Sequence, residues 1–302
     1  MGAGGLLAAF SLLMCLASGL MLFQGIQASL YRAERCNRAA AAISLAAAVA
    51  ALGCFAARMG HVERVFGMFA NVTSPTTHLL YAAVLFVVAC LVYLVVSVRS
   101  EDGSVPRWCG VTAIVVSVAV MAFVAFGNYN YLHLSTLTPD FWALAAYYVL
   151  NALALGALGE LALGAALGCD DAAGLARKAA LPCVALSGVG MAVVLGVFAL
   201  DSQAASVATT SMFSMAKYNV KAADATAAVD TLAVVLSGAS APLFWGGAVA
   251  VGTVVPLVLC AALFLGKGER AGGRVLALGI AALVCLLLGA VCFRLCLGVI
   301  GI

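Results

Sequence analysis

The residues best suited to chemistry gather in one short stretch, Arg58 to Leu80, RMGHVERVFGMFANVTSPTTHLL, between two long apolar runs. Read as a helix, it places Val62, Val65, Phe66 and Phe69 at i, i+3, i+4 and i+7 on one apolar face. Arg64, Met68 and Asn71 share another face, with His61 on the border between the two. That pattern predicts a short helix lying at a membrane surface. An imidazole with an ordinary pKa of roughly 6.5 can take a hydroxyl proton at neutral pH. Arg64 or Asn71 on the adjoining face could hold an oxygen or stabilise developing charge.

Those groups suit oxidation of a quinol at the membrane interface, which needs a pocket open to lipid, a base near neutrality and donors for two ring oxygens. Haem ligation is the other chemistry open to histidines, and it needs two of them facing each other across helices in an apolar cavity. The three histidines are His61, His78 and His133, and none lies in the middle of an apolar run. A haem could therefore sit only at one edge of the bundle. His133, in a loop rich in Asn and Tyr, reads as an interfacial polar residue.

Asn151 and Glu160 are a separate matter, because both fall inside an apolar run. A charged carboxylate at mid-depth costs roughly 2.5 kcal/mol or more to insert, so Glu160 must be protonated, paired or facing polar space. Two readings stay open: a neutral Glu hydrogen-bonded between packed helices, or a proton route. Nine residues and two and a half turns separate the pair, so they need not form one track. Arg294, inside the last apolar run, is close enough to its outer end to snorkel and is given no role. The eleven cysteines include no C-x-x-C pair, and most lie in apolar runs where Cys acts as a small hydrophobe. Cys292 and Cys296, at i and i+4, are a weak metal signal without further ligands nearby.

The elements that must position these groups follow from composition. With 66% hydrophobic and 9% charged residues and a mean hydropathy of +1.17, the chain is far from the roughly 25% charge of soluble domains and reads as a polytopic membrane protein. The net charge of +3 is dispersed in short loops, with no basic block for nucleic acid. Apolar runs fall at about 2–27, 39–57, 77–98, 108–126, 141–167, 180–200, 242–265 and 275–300. Each is near the roughly 20 residues a bilayer core demands, and runs of that length must be helical where no water satisfies the backbone. The first carries no Lys or Arg before Arg32, so it reads as a retained helix rather than a cleaved signal.

The expected fold is thus an all-α integral membrane domain over 1–302, with eight transmembrane helices in two four-helix bundles. Segment 201–240 is expected as a long outer loop, partly helical and serving as a lid or docking surface. An even number of spans puts both termini on one side. The opposite loops carry ten basic residues, Arg32, Arg35, Arg38, Arg99, Arg107, Arg177, Lys178, Lys267, Arg270 and Arg274. The termini's side carries four, Arg58, Arg64, Lys217 and Lys221. The positive-inside rule then makes both termini, and the Arg58–Leu80 stretch, extracytoplasmic. Trp142 and Trp245 on that side and Trp108 on the other fall at aromatic-belt positions.

The span count, the outward termini and MGHVERVFGMFANVTSPTTHLL between the second and third helices together resemble the DmsC-type, NrfD-like membrane anchor subunits of dimethyl sulfoxide reductase-family molybdoenzymes. The resemblance implies a multi-pass subunit of a prokaryotic cell membrane that binds menaquinol at the outer face and contains no haem or iron–sulfur cluster itself. It implies two partners docked on that face: an iron–sulfur subunit that takes the electrons and a molybdopterin catalytic subunit that spends them in anaerobic respiration. His61 matches the family's quinol-site histidine, while Asn71 and Thr73 fall in the stretch entering the third helix. Where familiar members have an Arg-Glu pair, this chain has Thr77-His78, so His78 becomes the substitute second proton acceptor. The rival classes are a secondary transporter using Glu160 and Asn151, against which no internal repeat is evident, and a haem-containing quinol cytochrome.

Overall fold

The computed structural model describes residues 3–30, 34–59, 67, 75–100, 104–129, 139–209, 235–266 and 272–301. Eight helices among them are long and apolar enough to cross a membrane. In chain order they are α1 (Ala3–Leu30), α2 (Glu34–Arg58), α3 (Pro75–Arg99), α4 (Arg107–Tyr129), α5 (Pro139–Leu167), α6 (Asp170–Thr209), α7 (Pro242–Leu265) and α8 (Gly273–Gly301). The described residues contain no strand. The chain is therefore an all-helical, multi-pass membrane protein, because helices of this length and apolarity bury their backbone hydrogen bonds internally and leave only side chains facing lipid.

Burial is inverted relative to a water-soluble bundle. Leu85, Val88, Leu91, Val92 and Val95 on α3 and Val111, Val115 and Val118 on α4 are exposed. Gln24, Gln27, Asn37, Asn151, Glu160 and Arg294 are buried. Lipid solvates the first set, and the second is enclosed between helices. Trp142, Trp245 and Trp108 are 59%, 54% and 60% exposed near the starts of α5, α7 and α4, which puts their amphipathic rings at the ends of the apolar belt.

Two helices hold the assembly together. In the most apolar window of α1, 67% of residues are buried, and 61% in that of α5, against 28% for α7 and 33% for α6 and α8. α1 packs on α2, α4, α5 and α8; α5 packs on α1, α4, α6 and α8. Around them α3 joins α2 to α4, and α7 joins α6 to α8. α1 and α5 meet backbone to backbone at Gly19 and Gly156: a Cβ on Gly19 would overlap the Ala152 carbonyl, and one on Gly156 would overlap Gly19 itself. Small residues allow this approach where no hydrophobic effect drives helices together. Gly252 of α7 and Gly289 of α8 make a second such contact.

Several helices run past the apolar runs that announced them. α2 starts at Glu34 rather than near Ala39, and α6 starts at Asp170 rather than near Ala180. The polar stretch CDDAAGLARK is thus mostly helix, entered through a tight turn at Gly168, whose φ of 69° suits a residue without a Cβ. The polar turns serve neighbouring helices. Arg38 of α2 donates from Nε to the Ser97 carbonyl at 2.9 Å and from a terminal nitrogen to the Ser100 carbonyl at 2.7 Å. Arg177 of α6 does the same to the end of α7, donating to the Leu263 carbonyl at 2.7 Å and to that of Gly266. Each guanidinium satisfies carbonyls that a helix C-terminus leaves orphaned, and its charge suits the negative end of the dipole. At its other end α6 continues to Thr209, so the segment expected as a loop from 201 begins as helix; residues 210–234 lie outside the described residues.

α7 changes winding along its length. Pro242–Val254 is a π-helix and Val255–Leu265 is α-helical. Pro256 has no N–H to give the Gly252 carbonyl, and just before it the chain is wound one residue wider, with Val255 N–H bonded to the Ala250 carbonyl.

Candidate functional site

His61, Arg64, Asn71, Thr73 and His133 lie outside the described residues. What is described are the two ends that hold the 60–74 segment: α2 ends at Arg58, which is half-buried, and α3 begins at Pro75. His78 stands in the first turn of α3 with its side chain exposed, at the same end of the bundle as the start of α1. Thr77 beside it is fully buried. Successive side chains diverge by about 100° on a helix, which is why neighbours face opposite environments here.

The interior holds two polar clusters, one toward each end. The first is built on Arg294 of α8, which is only 4% exposed. Instead of snorkelling to the outer edge, it turns inward between α1 and α5. Nε donates to Ser11 Oγ at 3.1 Å, and both terminal nitrogens donate to Asn151 Oδ1 at 3.2 Å. One also reaches the Ala290 carbonyl at 3.2 Å and the other Cys15 Sγ at 3.5 Å. All five guanidinium N–H groups are thereby used. The cation lies 4.9 Å from the Tyr148 ring centre and 6.0 Å from that of Tyr147, whose negative faces attract it. Asn151 in turn donates to Ser187 Oγ at 3.4 Å, beside a cavity of about 10 Å³ lined by Tyr147, Ser187, Thr253 and Gly289. That is room for about one water molecule.

The second cluster surrounds Glu160 of α5, nearer the opposite end. Its side chain is fully buried, and neither carboxylate oxygen has a hydrogen-bond partner among the described residues. Gln27 of α1 lies beside it and donates to the Ala172 carbonyl at the start of α6 at 3.4 Å. Gln24, one turn earlier, donates to Asn37 Oδ1, which also accepts from the Tyr93 hydroxyl at 3.2 Å. Gln24 Oε1 and Gln27 Oε1 are themselves buried without partners.

Asn151 and Glu160 do not come together. Two and a half turns place them about 13.5 Å apart along α5 and on opposite sides of it, and Asn151 is already engaged by Arg294. Both are buried because α5 has neighbours all round. The role of Arg294 was missed in the sequence because its partners, Ser11, Cys15 and Asn151, are distant in the chain. No local signal marks it, since about two turns of apolar helix follow Arg294, a distance over which an arginine can also snorkel.

A wide cavity of about 860 Å³ at the opposite end is lined by Ser29, Arg99, Ser100, Ser104 and Arg107. Residues 31–33 and 101–103, its chain neighbours, are outside the described residues.

Compared with known proteins, the sequence matches no protein-family model and no curated protein.

Proposed function

We propose that the chain is a membrane anchor subunit that oxidises menaquinol near the extracytoplasmic surface of a prokaryotic cell membrane and passes the electrons to a docked iron–sulfur subunit. That subunit would feed a molybdopterin catalytic subunit in anaerobic respiration. The observation that carries the reading is the His61-bearing amphipathic stretch, placed between two helices that span a membrane. It connects α2 to α3 at the end of the bundle where the chain begins. The helix ends and connections on the other side carry ten of the fifteen basic residues, and the positive-inside rule supports assigning that end to the cytoplasm. The ring of contacts α1–α2–α3–α4 and the matching ring α5–α6–α7–α8 support a grouping into two four-helix bundles.

In this reading His61 takes a proton from a quinol hydroxyl as the ring is oxidised. Arg64 and Asn71 hold the ring oxygens and stabilise the charge that develops. Thr73 lies in the stretch leading to α3, and His78, exposed in the first turn of α3, receives the second proton. Quinol gives up two electrons and two protons; the electrons leave to the iron–sulfur partner and the protons leave on the same side. The bundle interior takes no part in this step, because its polar groups are bonded to one another or sealed from the surface.

The test is quinol-driven substrate reduction by the complete complex purified from its membrane. His61→Ala is expected to abolish it while reduction from an artificial donor to the catalytic subunit persists. Unchanged quinol-driven turnover in His61→Ala would sink the reading. A single transport site shared by Asn151 and Glu160 is not favoured, since the two residues occupy separate clusters.

A further inference from the structure

Glu160 has no part in the quinol chemistry, yet it is the one fully buried carboxylate among the described residues. Several kcal/mol are lost when a carboxylate is buried without compensation, and the usual compensations are a cation, two or three N–H donors, or a proton. The described surroundings supply neither of the first two. α1 presents Gln24 and Gln27, α2 presents Cys36 and Asn37, α3 presents Tyr93, and the turn into α6 presents Cys169. Cys109 of α4 stands behind Tyr93. None of these is a basic group. The nearest amide, on Gln27, spends its nitrogen on the Ala172 carbonyl and leaves its own oxygen unpartnered, as are both Glu160 oxygens.

A single proton resolves this arrangement. An O–H on Glu160 removes the charge and needs an acceptor, and the Gln27 side chain beside it carries an oxygen without a donor. The nearer end of the bundle lies along the same line. Gln27 touches the first turn of α6, where Asp170 and Asp171 are exposed at the end of the bundle opposite the start of α1. Surface carboxylates there can collect protons, and the Gln27 side chain spans the step from that turn to the buried oxygen pair. We infer that Glu160 is a proton-binding site, carrying a proton in the resting protein and exchanging it with water from the side of the membrane opposite the termini, past the Gln27–Ala172 contact. Binding is the addition of one proton from water to one carboxylate oxygen, with no other bond made or broken. The inference does not depend on the quinol reading, because it concerns a different end of the bundle and needs no partner subunit.

Infrared spectroscopy of the full chain in lipid nanodiscs tests it. Wild type minus Glu160→Gln is expected to show a carboxylic-acid C=O stretch at neutral pH, and that band should shift down when the sample is moved to D₂O. In Gln27→Leu the band should remain and its shift in D₂O should slow. If the difference spectrum holds only carboxylate stretches, Glu160 is ionised and the inference fails. A band that never shifts in D₂O overturns the exchange. Loss of the band on replacing choline chloride with sodium chloride would assign the site to a metal cation instead. Should Glu160→Gln not insert, wild type labelled with ¹³C at glutamate carboxyls gives the same reading, and absence of any acid band in it refutes the proposal.

Discussion

Asn151 offers the sharpest test of how the interior is held. Its side-chain oxygen accepts from both terminal nitrogens of Arg294 at 3.2 Å. Asn151→Leu keeps the volume and removes that oxygen, leaving two N–H donors of a buried cation without a partner. Hydrogen bonds to charged groups contribute about 1.5–3 kcal/mol each. These two are longer than the 2.7–2.9 Å usual for charge-assisted pairs, so the lower figure applies, and a total of about 3 kcal/mol is expected. That is roughly a hundredfold in the unfolding equilibrium. A neutral side-chain hydrogen bond between membrane helices contributes only about 0.6 kcal/mol, so the two cases are well separated. The assay is equilibrium unfolding in mixed micelles with increasing SDS, followed by tryptophan fluorescence. The companion variant Asn151→Leu/Arg294→Met removes the charge as well and is expected to recover most of the loss, since an apolar replacement of a buried ionic group is often neutral. A cost below about 1 kcal/mol for the single variant, or a double variant no better than the single, would refute the account of Arg294 as a cation held by neutral partners.

Two further outcomes follow from the packing. Gly156→Leu would drive a side chain into the backbone of α1 at Gly19; overpacking of this kind costs about 1–3 kcal/mol even where some relaxation is possible, and none is available from backbone, so the folded yield in detergent should collapse while Gly246→Leu, with open space around it, stays close to wild type. Arg177→Met removes the donors to Leu263 and Gly266; hydrogen–deuterium exchange at the end of α7 should rise selectively, by an amount matching about 1.5–3 kcal/mol, whereas Arg38→Met should do the same only at the end of α3.

How much of this was legible beforehand depended on distance along the chain. The spans were readable because twenty apolar residues in a row have one solution in lipid, and α7 begins and ends where its apolar run does. The starts of α2 and α6 were not, because the arginines and aspartates there look like loop until Arg38 and Arg177 are seen to serve the ends of α3 and α7. Glu160 announced itself as a lone carboxylate in an apolar run, and the structure adds that its oxygens have no partner among the described residues. Arg294 did not, since nothing local distinguishes an arginine that snorkels from one that turns inward to Ser11, a residue at the other end of the chain. His61, Arg64, Asn71 and Thr73 rest on sequence alone, because they fall outside the described residues.

The meeting of α1 with α5 has a mechanical character of its own. At its middle, Gly19 against Gly156, there are no side chains to interlock. The fastenings sit to either side of that point. Toward one end Arg294 ties Ser11 and Cys15 of α1 to Asn151 of α5. Toward the other, Gln27 of α1 reaches Ala172 of α6 beside Glu160. The first latch is made by a group that stays charged at every physiological pH, so its strength does not vary. The second is made to the neighbouring helix α6, beside the buried Glu160. The seam is thus bare at its centre and tied toward its ends, by a fixed charge at one and by neutral groups at the other.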